Sequence, residues 1–301
     1  MKLATTTADF DLYEISQEDS VRYIHQAGFR FVDYNFGSDY KLSRGFMLDD
    51  WRAHGARMNA LADSLGVRYI QAQSPMGRPL VRDDEHEGFI AATKRCIEAC
   101  AVLGVTELVV HSGYAYGISK DDCFEQNRAF YLDLLSVAET CGVNILVENF
   151  NKMHREGVYW IDNATDLRAL IDFIDHPLLH ACWDVGHANL QEMPQDEELR
   201  IMGSHIRALH VQDNYGATDD HVIPFSGTTS MDSLMHGLMD IGYKGYFTFE
   251  SCNILKSRAP RRPFEKDTRL FKAPLPLRVK AEELIYAIGK YTLEAYDCFE
   301  E

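Results

Sequence analysis

The sequence predicts a closed (β/α)8 barrel, and three observations predict it. Eight short apolar, β-rich runs alternate with eight segments of helical spacing. Several helical segments stop at a glycine, which accepts the left-handed conformation that ends a helix. Four consecutive strand runs end in a carboxylate or an imidazole, and the C-terminal ends of barrel strands are where distant positions converge. An open doubly wound sheet would need a glycine-rich phosphate loop after its first strand, and TTADFDLYE has none.

In chain order, the first strand is read over 3–8 and its helix over 17–27, closed by Gly28. The second pair spans 29–35 and 49–65, with Gly66 as the stop, and the third spans 67–73 and 86–103, with Gly104. Cys96 and Cys100 share a face of that third helix, a spacing that reads as core packing. The fourth strand, 106–111, ends at His111 and feeds a helix over 122–141 before Gly142. The fifth, 143–149, carries Glu148 and precedes a helix over 164–174. The sixth, 179–185, carries Asp184 and precedes 194–203; the seventh, 205–212, carries His210 and precedes 230–241, closed by Gly242. The eighth, 245–251, carries Glu250, and a helix over 277–297 follows as a C-terminal extension. Residues 1–301 are read as one domain, since such barrels commonly take about 250 residues.

Composition narrows the function classes. Hydrophobic residues make up 46% of the chain, ample for a large core, yet no apolar run approaches the ~20 residues that span a bilayer. The N-terminus, MKLATTTADF, lacks the apolar stretch of a secretory signal, and the seven cysteines form no disulfide framework, so a reduced, soluble, cytoplasmic protein is expected. A net charge of −16 opposes a phosphate backbone and sets the chain against nucleic acid, and with no spanning run no membrane partner is expected. One stretch departs from this: residues 256–280 hold nine Lys/Arg against two acids and read as a solvated loop, an anion site or a subunit contact.

Glu148, Asp184, His210 and Glu250 form an oxygen-rich set with one imidazole, which suits one divalent ion, Mn²⁺, Mg²⁺ or Co²⁺, and tolerates Zn²⁺. Gln73 and His111 end neighbouring strands, His187 lies three residues past Asp184, and Asp219 and His221 lie in the loop after strand seven. All five are expected at the same mouth as substrate or acid/base groups. Trp183, with Phe10, Tyr13, Tyr34 and Phe36, is a candidate for stacking on a substrate, whereas His25, His54, His86 and His236 sit in helical segments and read as ordinary residues.

The stretches VENFNK (147–152), WDVGH (183–187), LHVQD (209–213) and TFES (248–251) resemble the xylose isomerase-like barrels in order and spacing. That superfamily holds sugar isomerases and epimerases, dehydratases and the endonuclease IV group. The resemblance implies that Glu148, Asp184, His210 and Glu250 bind the metal and that His187 holds a substrate oxygen. It also implies a homodimer or homotetramer paired at the catalytic face. ENFNK is similar to the glutamate–x–x–Asn–Arg run of ketose 3-epimerases, with Lys152 in place of arginine, while the arginine those enzymes place after the strand-seven histidine is absent. HVIPFSG resembles a histidine–x–x–Pro–Gly–x–Gly element, with Phe225 where glycine is usual. Against endonuclease IV, His111, Glu148, Asp184, His187, His210, Asp219, His221 and Glu250 match zinc positions, but Gln73 stands in place of the first histidine, and an amide is a poor zinc ligand.

The expected activity is divalent-metal-dependent isomerisation, epimerisation or dehydration of a small sugar, sugar phosphate or cyclitol. A metal-stabilised enediolate would serve all three outcomes, with Glu148 and Glu250 as the acid/base pair and His187 on the developing oxygen charge. His221 or His111 would assist loss of a hydroxyl. The alternatives are an endonuclease IV-like zinc phosphodiesterase and a non-catalytic ligand-binding barrel.

Overall fold

A computed structural model describes residues 1–151, 160–191, 193–256 and 272–301. Its strands are β1 (Lys2–Thr6), β2 (Phe31–Asn35), β3 (Arg68–Gln73), β4 (Glu107–Val109), β5 (Asn144–Glu148), β6 (Leu179–Asp184), β7 (Ile206–His210) and β8 (Tyr246–Phe249). They form one parallel sheet in the order β7-β6-β5-β4-β3-β2-β1-β8. The ends meet one residue past β7, where the Val211 N–H donates to the Thr248 carbonyl (2.7 Å) and the Glu250 N–H donates to the Val211 carbonyl (3.0 Å). The sheet is thereby a closed barrel. A chain with eight βα units and no tandem repeat reaches this closure because each apolar run is buried on both faces.

Around it lie α1 (Gln17–Gln26), α2 (Gly37–Lys41), α3 (Trp51–Leu65), α4 (His86–Leu103), α5 (Lys120–Cys141), α6 (Ala164–Ile174), α7 (Val185–Asn189), α8 (Gln195–Met202), α9 (Met231–Asp240) and α10 (Leu275–Ala295). Eight of these match the expected segments to within a few residues. The two additions, α2 and α7, are five residues each, too short for a 3.6-residue period to register. Gly66, Gly104 and Gly142 take the left-handed cap as expected; Gly28 and Gly242 do so one residue beyond the cap. Side-chain caps fix the opposite ends: Ser16, Ser119, Asn163 and Ser230 each accept the backbone N–H three residues on.

The C-terminal helix α10 supplies the eighth helix of the ring. It approaches the barrel so closely at Gly289 that a Cβ would lie 2.6 Å from the Phe249 ring and 2.7 Å from Leu3. The main core fills the shell between strands and helices, with Phe29, Phe247, Phe249, Trp183 and Leu209 among its buried members. A second, separate cluster, Val109, Leu146, Cys182 and Ala208, plugs the barrel interior. No described helix is long and apolar enough to cross a membrane.

Candidate active site

Strand alternation builds the site on that interior plug. Two residues beyond Val109, Leu146, Cys182 and Ala208, the same inward parity brings His111, Glu148, Asp184 and His210 to the C-terminal mouth. Glu250 joins them one residue past β8. Two register shifts adjust the aim: one between Ala181 and Cys182 sets Asp184 opposite His210, and one between Val32 and Asp33 sets Asp33 opposite Gln71. Bulges of this kind re-aim side chains beside functional sites.

One ligand atom from each of Glu148, Asp184, His210 and Glu250 lies within 4.8 Å of every other, and all four residues are buried. His210 Nδ1 is 3.2 Å from Glu148 Oε1 and 3.7 Å from Glu250 Oε2. Asp184 Oδ1 caps α7 by accepting the His187 N–H at 2.6 Å, which leaves the buried Oδ2 with no hydrogen-bond partner. Three carboxylates, one imidazole and an orphaned oxygen fit a divalent cation: without one, burial and mutual repulsion make the cluster costly. In a second group beside the first, His187, Asp219 and His221 each bring one ligand atom within 4.8 Å of the others.

The electrostatics express this crowding. Burial pushes Glu250 up to about 7; His210 and His221 oppose the rise, and Glu148 and Asp184 add to it. Burial acts the same way on Glu148, but His210 and His111 outweigh it and hold the carboxyl well below its ordinary range. Burial would lower His187, yet Asp184, Asp219 and Glu148 raise it to about 10. The two candidate acid/base carboxyls are thus pushed in opposite directions by their surroundings.

The structure brings most of the expected residues together. His111 Nε2 lies 2.9 Å from Glu148 Oε2. His187 Nδ1 is 2.8 Å from the Asn149 carbonyl, and its Nε2 is 3.1 Å from Asp219 Oδ2. His221 bridges Asp219 Oδ1 (3.2 Å) and the Glu250 carbonyl (3.1 Å). Gln73 is buried at the third strand end, where it accepts from Asn35 at 2.6 Å. Trp183 does not reach the mouth: the alternation that turns Asp184 inward turns Trp183 into the helical shell, fully buried, with its N–H on Gln195 (3.3 Å). Phe10, Tyr34 and Phe36 are likewise buried in the core, and Tyr13 donates to the Ala273 carbonyl. Lys152 lies outside the described residues, as do 257–271 of the basic stretch. Arg278, counted both in that basic stretch and in the expected helix over 277–297, is an α10 residue, but buried and paired with Asp9 and Glu282, not solvated. Phe225 stands at φ +71°, a left-handed position that suits the glycine usual there.

Four polar residues and one ring complete the site without having been singled out. Asn149 donates to the Asp184 carbonyl (2.9 Å) and accepts its N–H (2.7 Å), which clamps β5 to β6. Asn151 and Gln212 donate to Asp219 at 3.1 and 2.9 Å. Gln212 passes so near Gly186 that a Cβ there would meet its amide at 2.1–2.3 Å, the reason for glycine in WDVGH. Phe150 packs its ring 5.2 Å from His111 and 5.0 Å from His187. Asp33 lies fully buried beneath His210. Its signal was an acid inside the apolar run FVDYN. Beside His111 a cavity of about 260 Å³ opens, lined by Met76, Gly77, Arg78, Ser112, Tyr114 and Phe150.

A barrel whose strand ends converge on three carboxylates and a histidine defines a class, and comparison places the chain within it. The family model for the xylose isomerase-like TIM barrel matches residues 21–273, and the chain belongs to that family. Protein y4fM of Sinorhizobium fredii, itself uncharacterised, is 24% identical over 265 residues, 79% of this chain and 82% of that one. Fructoselysine 3-epimerase of Escherichia coli is 28% identical over 144 residues, 48% of this chain, so the match spans about half, 51%, of that relative's length. Among solved structures, D-psicose 3-epimerase with D-tagatose from Clostridium cellulolyticum superposes with a TM-score of 0.75 at 18% identity, covering 97% of this chain and 99% of that one. That likeness is one of fold.

Proposed function

We propose that the protein is a divalent-metal-dependent epimerase or isomerase of a small sugar. The observation that carries this reading is the buried convergence of Glu148, Asp184, His210 and Glu250 at the barrel mouth. The names of a sequence relative and of the fold neighbours, both sugar 3-epimerases, point the same way. Those four residues would hold the ion, Mn²⁺, Mg²⁺, Co²⁺ or Zn²⁺, which when bound would polarise a carbonyl and its neighbouring hydroxyl as a Lewis acid.

The chain's own groups account for the rest. Glu148 and Glu250 rise from β5 and the end of β8, on different sides of the mouth, so one can take the proton from a carbon beside the carbonyl while the other returns one. Return to the same carbon from the opposite face gives an epimer; return to the former carbonyl carbon, with the hydroxyl proton passing to the former carbonyl oxygen, gives an isomer. His187, raised to about 10 and held between Asn149 and Asp219, keeps its positive charge near neutral pH and can stabilise a developing oxygen charge electrostatically. Phe150 packs against His111 and His187, and the cavity it lines beside His111 gives room for the remaining substrate carbons. The acid/base roles of Glu148 and Glu250 and the substrate contacts of His111, His187, Asp219, His221, Gln73 and Lys152 belong to this proposal.

The test is metal content of protein purified without added metal, followed by ketoses and inososes incubated in deuterated water. About one ion per chain and deuterium entering a substrate carbon support the reading. No metal-dependent exchange on any of them sinks it. The second cluster, His187, Asp219 and His221, favours one further reading, a zinc phosphodiesterase of the endonuclease IV kind. Two or three zincs per chain and cleavage of abasic-site DNA would select it.

A further inference from the structure

We infer that Asp33 is a positioning residue that fixes which nitrogen of His210 faces the metal. This rests on the metal-dependent reading above. His210 is fully buried, and its two nitrogens face different worlds. Nδ1 points at the oxygens of Glu148 and Glu250, 3.2 and 3.7 Å away, whereas Nε2 points down the barrel to Asp33 Oδ2 at 3.2 Å. An imidazole offers a lone pair from one nitrogen only while the other holds the hydrogen, and the partner of that other nitrogen decides which is which. The Asp33 oxygen facing Nε2 is placed to accept its hydrogen, which selects the form with hydrogen on Nε2 and leaves Nδ1, the nitrogen among the other candidate ligands, to the cation.

Asp33 is itself held. Its Oδ2 also accepts from Gln71 Nε2 at 3.2 Å, and Gln71 Oε1 accepts from the Thr248 hydroxyl at 3.1 Å. Because the hydroxyl meets the amide oxygen, the amide nitrogen is turned toward Asp33. The chain therefore runs from β7 through β2 and β3 to β8, around the wall of the barrel and under the ligand cluster. The shift of register at Val32 and Asp33 is what sets Asp33 opposite Gln71. Burial of Asp33 is complete and its Oδ1 has no hydrogen-bond partner, an arrangement that packing alone gives no reason for.

The test compares wild type with Asp33→Asn, which keeps shape and removes the charge. Metal is stripped with chelator, thermal midpoints of the metal-free proteins are compared, and Co²⁺ affinity is measured by competition with a chromogenic chelator. The expected result is an unchanged metal-free midpoint, a Co²⁺ affinity about 10- to 100-fold weaker, and an altered Co²⁺ absorption band. Equal affinity and an unaltered band in the variant overturn the role of Asp33 while leaving the metal site standing. Failure of wild type to take up Co²⁺ overturns the metal reading as well. Should Asp33→Asn not accumulate as folded protein, ¹⁵N-histidine spectra of Zn²⁺-loaded wild type decide: hydrogen on Nε2 with Nδ1 as ligand supports the assignment, and the reverse overturns it.

Discussion

At the scale of single residues, the acid/base proposal makes a paired prediction. Glu148→Gln and Glu250→Gln should each lower turnover by about 10²–10⁴-fold, with solvent-proton exchange lost in step and the fold intact by circular dichroism. Exchange near the wild-type rate in both variants would remove them from the chemistry. The convergence of Glu148, Asp184, His210 and Glu250, the candidate ligands, was legible in the sequence because each ends an apolar strand run. Asn149 and Gln212 were harder, because an amide close to a candidate ligand in sequence reads as one more polar loop residue until its partner on another strand is known, and the acid of FVDYN, Asp33, meets His210 only once β2 and β7 are brought together. Trp183 was misread for the complementary reason: adjacency to Asp184 in sequence means opposition across the strand.

At the scale of elements, hydrophobic period and glycine stops located eight strands and eight helices. They missed α2 and α7, whose five residues leave no period to see. α7 is instead specified by its cap, because Asp184 accepts the His187 N–H and so ties one candidate ligand to the element that carries His187. α10 is held on its outer side of the mouth by Arg278, which donates to the Ser251 and Ile254 carbonyls just past Glu250. It is held on the barrel by the close approach at Gly289. Gly289→Ala should therefore destabilise the protein by about 1–3 kcal/mol, as overpacking does. Urea unfolding checks this; a change under about 0.5 kcal/mol, the size of a neutral surface substitution, would show that α10 packs more loosely than described.

At the scale of the whole molecule, the buried acids and His187 give stability a pH dependence. Folded-state values raised to about 7 for Glu250, about 8 for Glu282 and about 10 for His187 all lie above their ordinary ones. Each such group contributes stability that is fully present below its unfolded value and lost as pH rises through its folded value. For Glu250 the loss runs from about 4.5 to 7, for Glu282 from about 4.5 to 8, and for His187 from about 6.5 to 10. The metal-free protein should thus lose thermal midpoint steadily from pH 5 to 10, followed by calorimetry, and a rise across that window would contradict the buried cluster. Added Mn²⁺ should flatten the fall above pH 7, where Glu250 no longer holds a competing proton.

Among the described residues, the backbone hydrogen bonds that join the two ends of the ring of strands are those of Val211, with Thr248 on one side and Glu250 on the other. A hoop breathes at its clasp, and this clasp lies between His210 and Glu250. A cation gripped by both would rivet the last seam to zip, so substrate chemistry and the closure of the fold would share one fastening. Amide hydrogen exchange at Val211 and Glu250 should then slow on metal addition far more than at the mid-ring pairs of β3 and β4. Uniform slowing around the hoop would mean that the seam was never its loosest point.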